Sequence, residues 1–235
     1  MPEQTSLDTR AGAAVYSPLT LKVYDLLVLG ASNRWVWECP TDSVLLPFYQ
    51  KHVGARHLDV GVGTGFYLQR AGFSSRQHVA LLDLNESSLR VASHRLAKDG
   101  TELFVQDVMQ PLTALKGKSY DSIALFYLLH CLPGDMADKA RVFDHLKQHL
   151  SEGGVLYGAT ILGDSVGHNV LGRTLIGIYN KKGIFGNRND TYEGLARALG
   201  EHFEDVQLSR HGKVACFEAR LPRQSPEQGA FTAPG

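Results

Sequence analysis

The segment Asp59-Val60-Gly61-Val62-Gly63-Thr64-Gly65 concentrates more chemistry than any other part of this chain. Alternating glycines after an acid let the backbone turn tightly and let a ligand touch the main chain. A helix that starts just past such a turn offers unpaired N–H groups to an anion. Two ligand classes use this geometry. Dinucleotides favour G-x-G-x-x-G or G-x-G-x-x-A, and Phe66 stands at the position where that pattern needs a small residue. The pattern here is G-x-G-x-G with a leading acid. The plain structural alternative is a glycine-rich strand-to-helix turn that binds nothing.

Two further acids sit at comparable places. Asp83 ends the apolar run His78–Leu84, where a carboxylate can accept both hydroxyls of a ribose; a simple turn residue is the alternative, and Asn85 can cap the next helix. Asp107 follows Leu103–Val105, where its carboxylate or a backbone group could read an adenine amino group. Acids at three successive strand ends point to one crevice. His130, in Leu128-Leu129-His130-Cys131-Leu132-Pro133, is the best candidate for a general base, with a loop-shaping role as the alternative. Cys131 beside it is a nucleophile in principle, but a lone cysteine on an apolar loop more often packs. His145 and His149 lie four apart on a helix. No Glu directly follows His145 and no third ligand is evident, so no metal is expected.

The elements that must position these residues alternate. His57–Val60, His78–Leu84, Leu103–Val105, Ser122–Tyr127 and Val155–Ile161 read as strands. Phe66–Ala71, Ser87–Lys98 and Ala137–Leu150 read as helices, the last stopped by Gly153-Gly154. Such spacing implies βαβ units around a parallel sheet, and apolar runs without alternation suit strands buried on both faces. Asn169–Tyr179 and Thr191–Leu199 read as further helices. Phe203–Ser209 and Val214–Arg220 read as a final hairpin, which puts an antiparallel edge on the sheet. The expected fold is therefore α/β, doubly wound. Before it, Val15–Leu29 has helical apolar spacing, Trp35 and Trp37 follow, and Asp42 can cap a helix that Pro47 would interrupt.

Composition narrows the field. In 235 residues, 24 Lys and Arg balance 24 Asp and Glu, so the formal net charge is zero. That argues against a general polyanion binder, and no nucleic-acid partner is expected. No apolar run reaches the roughly 18 residues a membrane span needs. Three widely spaced cysteines without C-x-x-C rule out a disulfide framework or a Cys-rich zinc site and suit a reducing, cytoplasmic compartment. Met1–Arg10 does not read as a signal peptide.

Together these motifs resemble a class I S-adenosylmethionine-dependent methyltransferase of the small-molecule type, similar to the ubiquinone/menaquinone-methyltransferase-like group. HLDVGVGTG resembles the family's first motif, LLDLNESSL the second, FVQDVMQP the third, SYDSIALFYLLHCLP the fourth and GGVLYGATI the fifth, over about His57 to Ile161. The resemblance implies a Rossmann-like seven-stranded sheet with the last strand antiparallel, and S-adenosylmethionine as cofactor with S-adenosylhomocysteine as product. It places Gly61, Gly63 and Gly65 along the methionine moiety with Asp59 near its amino group. Asp83 holds the ribose, Leu84 packs on adenine, and Asp107 with Val108 meets the adenine edge. Phe126 and Tyr127 line the cofactor near the methyl, and Tyr16 or Tyr24 closes over it.

The implied partition is residues 1–56 as an N-terminal lid or substrate segment, 57–221 as the methyltransferase core with 163–186 as a substrate cover, and 222–235 as a tail. Trp35, His168, Asn169 and Tyr179 would line a small, aromatic or hydrophobic methyl acceptor. A cofactor-binding relative that no longer transfers methyl is the alternative function. The apolar N-terminal segment serves equally as a lid or as a homodimer contact.

Overall fold

A computed structural model of the chain describes residues 32–163 and 170–223. The expected helix over 15–29 and the residues Tyr16, Tyr24, His168 and Asn169 lie outside the described residues.

The described chain begins with a helical turn, Asn33–Trp35, then a wide π-type turn, Thr41–Leu45, that leads into helix α1 (Leu46–Lys51). Pro47 falls in the first turn of α1, where its missing N–H has no intrahelical partner to lose. The interruption expected at Pro47 takes this form, a change from wide to regular winding. Asp42 caps nothing. Pro40 occupies the cap position, and Asp42 Oδ1 accepts from Arg70 Nη1 at 2.6 Å.

Strand β1 (Arg56–Val60), helix α2 (Phe66–Arg70), strand β2 (His78–Asp83), helix α3 (Glu86–Leu96) and strand β3 (Glu102–Val105) follow. Then come strand β4 (Tyr120–Phe126), helix α4 (Met136–Lys147), strand β5 (Leu150–Ile161), helices α5 (Val170–Lys181) and α6 (Tyr192–His202), and strands β6 (Phe203–His211) and β7 (Val214–Pro222). Side chains close the helix starts. Asn85 accepts from Ser87 N–H, Thr191 accepts from Gly194 N–H, and Asp135 and Asp138 form a reciprocal capping box on α4.

One sheet results, in the order β3-β2-β1-β4-β5-β7-β6. The pairings from β3 through β5 are parallel. Antiparallel pairing is confined to the margin, where β7 runs against both β5 and β6. Alternation along β4 sends Ile123 and Leu125 into a core with α4 and α6, which supply Val142, Phe143, Leu146, Leu195 and Leu199. Ala124 and Phe126 face the opposite core, with Trp37, Leu45, Tyr49, Tyr67 and Tyr157.

Residues 32–55 cover that second face like a strap. Lys213 N–H, at the β6–β7 turn, donates to Trp37 O at 2.8 Å. His52 pairs with Glu218 of β7.

Two expected boundaries move. Helix α4 stops at Lys147, because His149 is captured by the start of β4: its carbonyl accepts from Tyr120 N–H at 2.8 Å and its Nδ1 bonds Lys118 O at 3.1 Å. Gly153-Gly154 does not stop the helix. Both lie inside β5, where the register with β4 shifts between Tyr120 and Ser122. Pro222, expected in the tail, closes β7.

Among the described residues no helix is long and apolar enough to cross a membrane, and no group of His, Cys, Asp or Glu is arranged to hold a metal ion.

Candidate active site

The carboxyl ends of β1, β2 and β4 and the loop after β3 surround a cleft that is open to solvent. Gly61, Gly63, Asp83, Leu84, Asp107, Val108 and Tyr127 line it, so the structure brings seven of the residues singled out in the sequence to one place. Val60, Leu82, Gln106, Leu128, Cys131 and Leu132 complete the lining.

The glycine loop divides its work. A Cβ on Gly63 would meet no protein atom within 4 Å, so the space beside it is open to a ligand. Gly65 instead packs on α3, where a Cβ would come within 2.7 Å of Ala92 Cα. Both have left-handed φ, +51° and +73°. Gly63→Ala therefore keeps the packing and crowds the cleft: its affinity for S-adenosylhomocysteine falls by about tenfold or more, and stability falls only by the left-handed strain, about 1–2 kcal/mol. Gly65→Ala adds overpacking to the same strain and costs about 3–4 kcal/mol of stability. Calorimetric titration and thermal melts of the two variants check this. Equal effects on both readouts would refute the division.

Asp83 is the dominant electrostatic feature. Its carboxylate accepts from Asn85 N–H at 2.8 Å and faces the N–H groups of Gly63 and Val62, which favour its charged form. Burial nevertheless pushes its pKa up to about 6, and the charge of Asp59 adds to the rise. Asp107 Oδ1 accepts from Met109 N–H at 2.9 Å, which fixes the loop that carries Val108. Among the described residues that line the cleft none is lysine, arginine or histidine.

Asp59 lies beneath the loop rather than in the cleft lining. Tyr49 Oη donates to Asp59 Oδ2 at 2.6 Å and is 3.0 Å from His57 Nε2; His57 Nδ1 is 2.8 Å from Ser122 Oγ, which accepts from Gly54 N–H at 2.8 Å. This buried chain ties α1 to the start of the glycine motif. Burial and the Asp59 charge hold the Tyr49 hydroxyl protonated, with a pKa well above the ordinary tyrosine value.

Several expected site residues are elsewhere. Phe126 points away from the cleft into the second core, against Tyr49 and Tyr67, as alternation along β4 requires. Trp35 is 68% exposed, and Trp37 is the buried member of the pair. Tyr179 packs on Phe185, outside the lining. His130 is corrected as the candidate base. It is fully buried behind the cleft wall, and burial with the neighbouring Lys139 charge drives its pKa down to about 3. Its Nδ1 accepts from Ile161 N–H at 3.3 Å, and its carbonyl accepts from Gly186 N–H at 2.8 Å, so it shapes the loop. Cys131 does line the cleft, but burial holds its thiol protonated, at about 12.

Tyr49, Asn33 and Lys139 were not foreseen. Tyr49 Oη bonds Asp59, and Asn33 Oδ1 accepts from Tyr127 Oη at 2.9 Å. Lys139 donates to Gly186 O at 3.0 Å and to Asp190 Oδ2 at 2.6 Å, beneath the turn Leu129–Cys131. No local sequence signal marks any of them, because each works through a partner distant in sequence.

A family model described as "Methyltransferase domain" matches residues 58–156. The physcion biosynthesis cluster O-methyltransferase of Aspergillus chevalieri is 38% identical over 223 residues, covering 95% of this chain and 100% of that protein. YbcY of Escherichia coli K12 is 48% identical over 192 residues, 81% of this chain and 98% of that one. The N-methyltransferase NodS of Bradyrhizobium japonicum WM9, solved with S-adenosylhomocysteine, shares the fold at a TM-score of 0.56 and 15% identity, over 76% of this chain and 85% of that one. The open space at Gly63 and the Asp83 carboxylate in the cleft lining fit S-adenosylmethionine, and the chain belongs to the S-adenosylmethionine-dependent methyltransferases.

Proposed function

We propose that this enzyme methylates an oxygen of a small, flat or hydrophobic acceptor, seated where Leu128, Cys131 and Leu132 form the apolar end of the cleft. The observation that carries the reading is end-to-end similarity to an enzyme named as an O-methyltransferase, at 38% identity over the whole of that protein. Half-buried Leu175, Ile176 and Tyr179 of α5 pack against the second core. In this reading α5 covers the acceptor, and residues 1–56 supply the lid or acceptor segment.

S-adenosylmethionine, when bound, supplies an electrophilic methyl on a sulfonium. In this reading Asp83 accepts the ribose hydroxyls, Leu84 and Val108 flank the adenine, and Gly61 and Gly63 leave the main chain open to the methionine. Tyr127 and Leu128 wall the reacting end. With the cofactor bound, these residues would hold the acceptor oxygen in line with the sulfonium methyl, so that O–CH3 would form as S–CH3 breaks, S-adenosylhomocysteine would leave and the acceptor proton would pass to water; the acceleration would come from that alignment, which can be worth several kcal/mol. His130, neutral and behind the wall, positions the loop and takes no proton.

The test uses S-adenosylmethionine with a deuterated methyl and a panel of phenols, enols and matched aryl amines. Mass spectrometry is expected to find the label on oxygen only. Label on amines with none on the hydroxyl compounds would overturn the reading.

A further inference from the structure

Tyr127 follows β4 with φ +60°, a left-handed conformation that costs a non-glycine residue about 1–2 kcal/mol. The strain breaks the alternation of the strand, so that Tyr127 follows Phe126 into the second core while also lining the cleft. Two contacts hold it there. Its N–H donates to Ala159 O at 2.8 Å, and its hydroxyl donates to Asn33 Oδ1 at 2.9 Å across 94 residues of sequence. Asn33 is itself fully buried and fixed. Its Nδ2 donates to Thr41 Oγ1 at 2.7 Å, and its carbonyl accepts from Cys39 N–H at 2.8 Å.

A buried amide in an aromatic core needs a reason, since burying polar groups is costly unless they are paired. Here both ends of the amide are used. One end grips the strap through Thr41, and the other grips the strained tyrosine at the cleft wall. We propose that Asn33 is a positioning residue for the cofactor: it acts through the Tyr127 hydroxyl, so that the strap must be seated before the cleft wall is complete. This rests on the reading that Tyr127 borders the cofactor. Asn33, outside the cleft lining, then governs cofactor binding through Tyr127.

The test is titration of the full chain with S-adenosylhomocysteine, with melting temperature recorded for every variant. Asn33→Leu keeps the shape and removes both bonds; Tyr127→Phe removes only the hydroxyl. Each is expected to weaken binding by about fivefold to tenfold, the value of one buried hydrogen bond. The double variant is expected to be no weaker than the poorer single variant, because both remove the same link. Asn33→Asp keeps an acceptor for Tyr127, and the Thr41 hydroxyl can turn to donate to it. This variant is expected to bind within about twofold of the parent even where burial of the new carboxylate lowers melting.

A merely structural role predicts lower melting temperatures with unchanged affinity in all three single variants, and that result overturns the proposal. Tyr127→Ala separates the two layers of the argument. If removing the ring leaves affinity unchanged, the placement of Tyr127 beside the cofactor fails. If it weakens binding while Asn33→Leu does not, the placement stands and the role of Asn33 fails.

Discussion

Lys139→Met lowers the free energy of unfolding by about 3–5 kcal/mol, the usual cost of stranding one charge of a buried pair. Lys139 and Asp190 are both fully buried and 2.6 Å apart. Burial pushes the lysine pKa down and the aspartate pKa up, and the attraction between them opposes both shifts. Asp190 Oδ1 has no hydrogen-bond partner, so loss of the lysine leaves a poorly satisfied carboxylate in the interior. The double variant Lys139→Met/Asp190→Leu recovers most of the loss, because removing both charges removes both desolvation penalties. Urea unfolding of the three proteins measures this. A single variant within 1 kcal/mol of the parent would show that the pair holds nothing. The loss also reaches the cleft, since Lys139 anchors Gly186, and Gly186 N–H holds the carbonyl of His130.

Asp83→Ala weakens S-adenosylhomocysteine by about a hundredfold at pH 8, the value of two hydrogen bonds to a charged acceptor at roughly 1.5 kcal/mol each. The parent protein carries its own control. With a pKa of about 6, Asp83 is mostly protonated at pH 5, and a protonated carboxyl accepts ribose hydroxyls poorly. Affinity is expected to fall about tenfold between pH 7.5 and pH 5 in the parent and to stay flat in Asp83→Ala.

Folding responds in the opposite sense. The native pKa lies above the value of 3.8 for a free aspartate, so the fold binds this proton more tightly than the unfolded chain. The contribution of Asp83 to stability is largest below pH 3.8 and declines as pH rises through 6. Calorimetry across the pH range checks the binding limb. Equal pH dependence in parent and variant would remove Asp83 from the ribose site.

What the sequence revealed, and what it hid, follows from the range of the interactions. The strand runs were legible because parallel strands buried on both faces must be apolar throughout, and β1, β2 and β4 match their expected places within two residues. The glycine motif and Asp83 were legible because backbone conformation and strand-end position are local properties. The end of α4 was not, because it is set by pairing of His149 with the start of β4. Phe126 was misplaced because alternation holds up to that residue and breaks at Tyr127, where only tertiary contacts stabilise a left-handed tyrosine. Nothing local marks Lys139 as buried, since its partner lies 51 positions away. His130 looked like a base because sequence shows residue type and not dielectric.

The strap has a consequence for the order of assembly. It comes early in the chain, yet two of its anchors, Lys213 and Glu218, belong to the β6–β7 hairpin, and the His52–Glu218 contact spans 166 residues. Closing so long a loop is entropically expensive, and contacts of this separation form late in folding. During synthesis the ribosome releases the strap long before its anchors exist. The central strands can pair and the glycine loop can form in its absence, while the aromatic face stays exposed until the last hairpin arrives. Residues 32–55, made earlier than any described strand, are thus among the last to settle, and the fold is completed when they meet the β6–β7 hairpin.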